Sequence, residues 1–159
     1  MNAQRGAVLI TTLVFLVLVT LLATSSMQNA TLQEKVAGSL QRHNALFEAA
    51  EAILRVGEAS VIAPGFFLPE CSSPATCTPP PEALTLTGSG NAGGSGVNWV
   101  ASAGGFHGIQ HLGQAEDPAQ GEGPASLYRV TAVAIQGRSR TVLESIHTAE
   151  RRIMWRQRQ

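Results

Sequence analysis

The sequence is poor in lysine, in aromatic residues and in net charge. Lys35 is the single lysine, and the aromatic residues are five phenylalanines, two tryptophans and one tyrosine. Eleven basic residues balance eleven acidic ones. A nucleic-acid-binding domain would carry a basic excess, so this balance argues against nucleic acid as a partner. At 159 residues the chain is expected to form one domain, and its few aromatic residues predict a modest core that benefits from a covalent staple or a partner.

What the sequence does contain is a long apolar run at residues 7–24, with no charged residue. A helix of this length spans roughly 27 Å, close to the thickness of bilayer hydrocarbon. Arg5 is the only charge before the run, which predicts a cytoplasmic N-terminus and an exported remainder. The alternative is a cleavable signal peptide, with Ala23-Thr24-Ser25 as its small-residue cleavage site.

The segment after the apolar run continues in helical register. Gly57 and Pro64 mark its expected end, so residues 7 to about 58 predict one long helix. Its second part needs a surface on which to lay an apolar stripe, and the remainder of the same chain is the candidate. The stripe recurs at a helical period and comprises Leu32, Val36, Leu40, Phe47, Ala50 and Leu54.

Three parts of this N-terminal region resemble a known family. Arg5-Gly6 directly before Ala7 is similar to the leader of type IV prepilins, which a membrane peptidase cuts after the glycine. Residues 31–38 (TLQEKVAG) and 47–52 (FEAAEA) resemble the N-terminal region of PilX-type pilus assembly proteins. The resemblance covers about residues 4–58 and is looser beyond them.

The resemblance implies a type IV pilin-like α+β fold, in which a long helix packs on a C-terminal antiparallel sheet. It implies a minor pilin that primes or caps type IV pilus assembly and so supports adhesion and motility. The implied partners are other minor pilins, the major pilin, the prepilin peptidase, a possible tip adhesin and the inner membrane. Major pilins carry glutamate at the fifth residue after the cut, and Thr11 stands there in this chain. The missing carboxylate favours a place at the fibre tip, where no neighbouring amine needs it.

Cys71 and Cys77 are the only cysteines, and the predicted topology places them in an oxidising compartment. A structural disulfide is therefore expected. A metal pair would need further ligands, and a redox pair would have the Cys-x-x-Cys spacing.

The C-terminal half predicts a small sheet. Residues 127–135 and 140–147 predict a hairpin around the turn at 136–139, and residues 108–113 add a third strand. Residues 78–96 are rich in proline and then glycine and serine, which predicts a flexible surface loop. Within and beside that loop, residues 84–87 and 97–100 are candidate short strands.

The remaining polar residues support no active site, cofactor or metal site. His107 and His111 are four residues apart but lie in a strand-like context, and Glu116-Asp117 lacks the spacing of a calcium loop. The basic tail could dock a partner, although a solvated end is the favoured interpretation.

The sequence therefore predicts a membrane-anchored pilin and not an enzyme. The alternatives are a type II secretion-like minor pseudopilin, a membrane-anchored envelope interaction protein, or a secreted enzyme starting near Ser26. The predicted segments are a prepilin leader (1–6), a transmembrane helix (7–24), an amphipathic continuation (25–58), a disulfide loop with a Gly/Pro-rich region (59–126), a hairpin (127–149) and a basic tail (150–159).

Overall fold

The computed structural model describes residues 2–116, 123–148 and 150–158. It divides into two compact units, one ending at His43 and one beginning at Asn44. The turn predicted at Asp117-Pro118 lies outside the described residues. The elements are α1 (Asn2–Ile62), α2 (Pro74–Cys77), a 3-10 helix (Pro81–Leu84), β1 (Gly90–Asn91), β2 (Asn98–Ser102), β3 (Gly105–Glu116), β4 (Pro124–Gln136), β5 (Ser139–His147) and β6 (Arg152–Arg158).

The first unit consists of α1 residues alone, and its apolar side chains are exposed. Leu32, Val36 and Leu40, the first half of the predicted stripe, are 58–59% exposed. The prediction that the chain's own sheet buries the whole stripe is therefore wrong for this half. The apolar stripe of a helix is buried only by packing against another element, and the described residues of the first unit contain no second element.

The second unit is built on a six-stranded antiparallel sheet in which every strand neighbours the next along the chain. The predicted hairpin corresponds to β4 and β5, which pair from Tyr128↔His147 to Gln136↔Ser139. β3 pairs with β4 along nearly its whole length, with a shift in register between His111 and Gly113. A long helix and an antiparallel sheet confirm the predicted α+β class.

The last turns of α1 pack on one face of this sheet, called here the helix face. Leu46, Ala50, Ile53 and Leu54 of α1 are buried there at 6% exposure or less. Gly57 was expected near the helix end, but α1 continues to Ile62. A Cβ on Gly57 would lie 2.5 Å from Val130 Cγ1, so the glycine permits close approach of helix and sheet. The opposing sheet residues are Tyr128, Val130, Ala132, Ala134 and Leu143.

The opposite, outer face of the sheet is covered by the segment predicted to be a flexible loop. Ala83 and Leu86 of this segment are buried with the neighbouring Val97 and with Trp99, which is 1% exposed. Residues 84–87 are not a strand, because a 3-10 helix ends at Leu84. Residues 97–100 overlap β2, as expected. The loop prediction is wrong because a few apolar residues among the glycines and prolines suffice to seat the segment on the sheet.

The basic tail is the clearest departure from expectation. Residues 152–158 form β6, which pairs with β5 from Val142↔Arg158 to His147↔Arg152. The tail is therefore an ordered strand, although most of its residues are exposed. The carboxylates that pair with its arginines lie outside the tail: Glu144 is 12 positions from Arg156, and Glu58 is 94 positions from Arg152.

Candidate functional site

The N-terminal part of α1 is the first candidate functional element. Among the described residues, one helix is long and apolar enough to cross a membrane, judged by length and composition. Its threonines return their hydroxyls to the helix backbone: Thr12 Oγ1 donates to Leu9 O at 2.9 Å, and Thr24 Oγ1 to Leu21 O at 3.0 Å. These bonds satisfy the polar groups internally, as a lipid or apolar bundle environment requires.

Thr11 follows the same pattern, since its Oγ1 donates to Val8 O at 2.8 Å. Position 11 is thus neutral, and its one side-chain donor is already used. Gly6 and Ala7, the predicted cleavage pair, both fall within α1. Cleavage between them stays a prediction.

The disulfide loop is the second candidate element. Cys71 and Cys77 form a disulfide that brackets α2, with their Cα atoms 5.3 Å apart. Ser73 caps this short helix: its Oγ accepts from Thr76 N, and Thr76 Oγ1 accepts from Ser73 N. Closing so short a loop stabilises by about 2 kcal/mol in the chain-entropy model.

Donors from the outer face of the sheet hold this irregular segment in place. Arg129 Nη1 donates to Cys77 O at 2.7 Å, and Gln110 Nε2 donates to Thr76 O at 2.6 Å. Arg140 donates to the carbonyls of Ala83 and Leu86, and Arg158 Nη1 donates to Pro80 O at 2.8 Å. These bonds serve backbone carbonyls of the irregular segment, and one of them, Pro80 O, also accepts from Ala83 N at 3.2 Å.

Ion pairs fix β6 at both ends. Arg152 binds Glu58 of α1 through two bonds, from Nε to Oε1 at 2.7 Å and from Nη2 to Oε2 at 2.8 Å. The hydrogen bond to Glu58 raises the pKa of Arg152. Glu144, 2% exposed, accepts bonds from both Arg156 and Arg158. Paired arginines therefore make β6 part of the domain.

The histidines serve the structure in ways that the sequence did not reveal. His111 Nδ1 lies 2.9 Å from Leu68 O, and its ring stacks on Tyr128. His107 Nδ1 lies 2.9 Å from Ser102 Oγ. Burial lowers the pKa of His107. In the part of the chain that the structure describes, no group of three His, Cys, Asp or Glu residues is placed to hold a metal ion.

Comparison with known families bears on the interpretations left open. The PilX N-terminal family model matches residues 5–55. The match supports a PilX-type pilin. No curated protein and no solved structure matches the chain. The matched residues coincide with most of α1, and the PilX family consists of structural pilus components. A PilX-type segment with a single N-terminal apolar helix fits a pilin anchored in the inner membrane and working with the type IV pilus assembly machinery.

Sequence reasoning missed the outer-face arginines. The signal that could have revealed them is the alternation of side chains along the strands. On β5, Arg140 lies on the same face as Val142 and Glu144, and on β6, Arg156 and Arg158 lie opposite Glu144 and Val142. Side chains at alternate strand positions point to one face. This pattern becomes visible only once the strand pairing is known.

Proposed function

We propose that this PilX-type protein is a minor pilin that primes or caps type IV pilus assembly. The observation that carries the proposal is the PilX N-terminal match over residues 5–55, which includes the whole exposed apolar segment 7–24. The prepilin peptidase cuts between Gly6 and Ala7. Residues 7–24 then hold the protein in the inner membrane, with its C-terminal domain in the periplasm.

Assembly moves the apolar segment from lipid into a bundle of sibling helices. Both surroundings are apolar, and association in them relies on packing and satisfied hydrogen bonds. The exposed side chains of residues 7–24, together with Leu32, Val36 and Leu40, supply that packing surface for other minor pilins and the major pilin. The protein thereby supports adhesion and motility, with a tip adhesin as a further partner.

Thr11 supports a place at the fibre tip. A buried, unpaired N-terminal ammonium costs on the order of 2.5–3.5 kcal/mol at a bilayer centre, so a bulk subunit needs a carboxylate to offer its neighbour. Thr11 instead donates its hydroxyl to Val8 O. A subunit that begins or ends the fibre meets no such demand on that side. Immunogold labelling is expected at filament tips, and even labelling along filaments contradicts this placement.

N-terminal sequencing of protein from sheared pili tests the proposal. A first residue of Ala7 supports it, and a start near Ser26, or absence from the sheared fraction, overturns it. Gly6→Leu should leave the leader attached and remove the protein from the fibre. The matched control is Gln4→Leu in the same leader, which should be processed normally. If Gly6→Leu changes neither size nor location, the protein is a plain membrane-anchored domain.

A further inference from the structure

A small cavity of about 110 Å³ opens on the outer face of the sheet where β6 borders β5. Its polar wall contains Arg129, Glu144 and Arg156, and its apolar wall contains Ile146 and Met154. Arg156 is 49% exposed and Met154 is 47% exposed, so the cavity is accessible from solvent. Arg129 also holds the disulfide loop and Arg156 also pairs with Glu144, so the polar wall is built from side chains whose positions are fixed.

The cavity has more positive than negative charge around it. Glu144 is the one carboxylate, and it is paired with both Arg156 and Arg158. Arg129 is a third guanidinium, and its hydrogen bonds run from Nη1 to the neutral oxygens of Cys77 and Gln110. Burial lowers the pKa of Arg129, Glu144 raises it, and the charges of Arg156 and Arg158 lower it further. One carboxylate therefore faces three cations, which favours the entry of a second anion.

The chemistry of the walls selects the kind of anion. A guanidinium presents a planar fork of donors that matches a carboxylate. Ile146 and Met154 offer contact to the methylene groups behind such a carboxylate. A glutamate or aspartate side chain combines both features, whereas a free inorganic anion would leave the apolar wall uncovered.

The position beside β6 indicates how that side chain arrives. Within the described strands, β6 pairs with β5 alone and forms one edge of the sheet. Its seven residues include no proline or lysine, and the charged side chains that guard this edge are all arginines. Three of the seven are arginines, so the β6 of a second copy would place arginine near arginine. The edge is suited to an extended segment of a different protein that carries acidic side chains.

We propose that the cavity between Arg129 and Arg156 binds a carboxylate side chain that a partner protein presents at the edge of β6. The backbone of the partner segment pairs with β6, and its acidic side chain adds specificity, as in other cases of strand addition. This inference does not rest on a role in pili, because its evidence lies entirely within residues 77–158.

The experiment uses the full chain in lipid nanodiscs and a short peptide of alternating threonine and valine with one central glutamate. NMR should show the side-chain Nε–H signals of Arg129 and Arg156 shifting on addition, together with slower amide exchange in β6. Replacing the glutamate of the peptide by glutamine should weaken binding at least about tenfold, since hydrogen bonds to charged groups are the strong ones. N-methylation of alternate peptide bonds should abolish binding.

Variants of the chain locate the effect. Arg156→Gln should abolish the preference for the glutamate peptide, whereas Arg138→Gln, which removes an exposed arginine from the β4–β5 turn, should keep it. Equal binding of the two peptides, equal effects of the two variants, or no binding at millimolar peptide overturns the proposal. Because the peptide comparison uses the unaltered chain, a folding defect in Arg156→Gln leaves the test intact.

Discussion

The two faces of the sheet are covered in different ways. On the helix face, α1 contributes Leu46, Ala50, Ile53 and Leu54 to an apolar core. On the outer face, the 3-10 helix and the residues that follow it contribute Ala83, Leu86 and Val97 to a smaller core around Trp99. On the outer face, arginine and glutamine donors of the sheet bind backbone carbonyls of residues 76–86, whereas on the helix face Arg152 binds the carboxylate of Glu58.

The difference follows from backbone hydrogen bonding. A helix satisfies its own carbonyls, so it needs only side-chain complementarity to pack. An irregular segment has carbonyls without partners, and each buried one costs free energy unless a donor reaches it. Arginine is suited to this task because one guanidinium offers several donors in a rigid fork, as Arg140 does to Ala83 O and Leu86 O. This role gives a physical reason for arginine at positions 129, 140 and 158.

The largest effect on stability is expected from a substitution in the core of the helix face. Leu54→Ala removes a side chain that is 0% exposed and leaves a cavity, which should lower the free energy of unfolding by about 2–5 kcal/mol. Thermal unfolding followed by near-UV circular dichroism measures this. Leu32→Ala is the matched control on the same helix, because Leu32 is 59% exposed and its loss should cost less than about 0.5 kcal/mol. Equal destabilisation by the two changes contradicts the assignment of the core.

A smaller and local effect is expected from removing a donor on the outer face. Arg140→Met leaves the carbonyls of Ala83 and Leu86 without their partner and should destabilise by about 1–3 kcal/mol. Hydrogen exchange should accelerate in residues 81–97 before it accelerates in residues 46–61. Arg138→Met controls for the loss of one arginine, since Arg138 is exposed in the neighbouring turn. Simultaneous loss of protection in both segments would mean that the two faces are one cooperative unit.

The disulfide offers a further test that the outer face loses protection separately from the helix face. Replacing Cys71 and Cys77 together by serine should cost about 2 kcal/mol, because the open loop regains conformational entropy in the unfolded state. Protection from exchange should fall around α2, while the helix face keeps its protection. Reductant should reproduce the effect in the unaltered chain and change nothing in the double variant. If reductant changed the stability of the double variant, the reductant would be acting at a site other than this disulfide.

Part of the fold could be predicted from the sequence because its signals lie in residues that are close together in the chain. The helix and the β4–β5 hairpin follow from the spacing of apolar residues and a glycine-containing turn within short windows. β6 was unpredictable because Arg152 finds its carboxylate on Glu58, 94 positions away in the chain. Leu32, Val36 and Leu40 carry the correct helical period, but periodicity does not identify the surface that covers them.

The outer layer was unpredictable for a related reason. Its residues have no period, and glycine and proline are normally read as signs of a flexible loop. What seats the layer is a set of contacts that only the sheet register creates, such as Gly108 beneath Trp99. A Cβ on Gly108 would lie 3.1 Å from the indole ring and 2.3 Å from Val97 Cγ1. Among the candidate site residues, Cys71 and Cys77 were predictable because a sequence with two cysteines allows one pairing within the chain.

The smallest expected effect concerns a titratable group on the helix face. Burial lowers the pKa of His107 below its usual 6.5. Below pH 6.5 the unfolded chain therefore binds more protons at this residue than the folded chain does, and stability falls as the pH falls toward the folded pKa. His107→Gln should flatten the pH dependence of the unfolding temperature in this window. His43→Gln, on the exposed part of α1, is the control and should leave the slope unchanged. A slope that survives in His107→Gln would assign the pH dependence to another group.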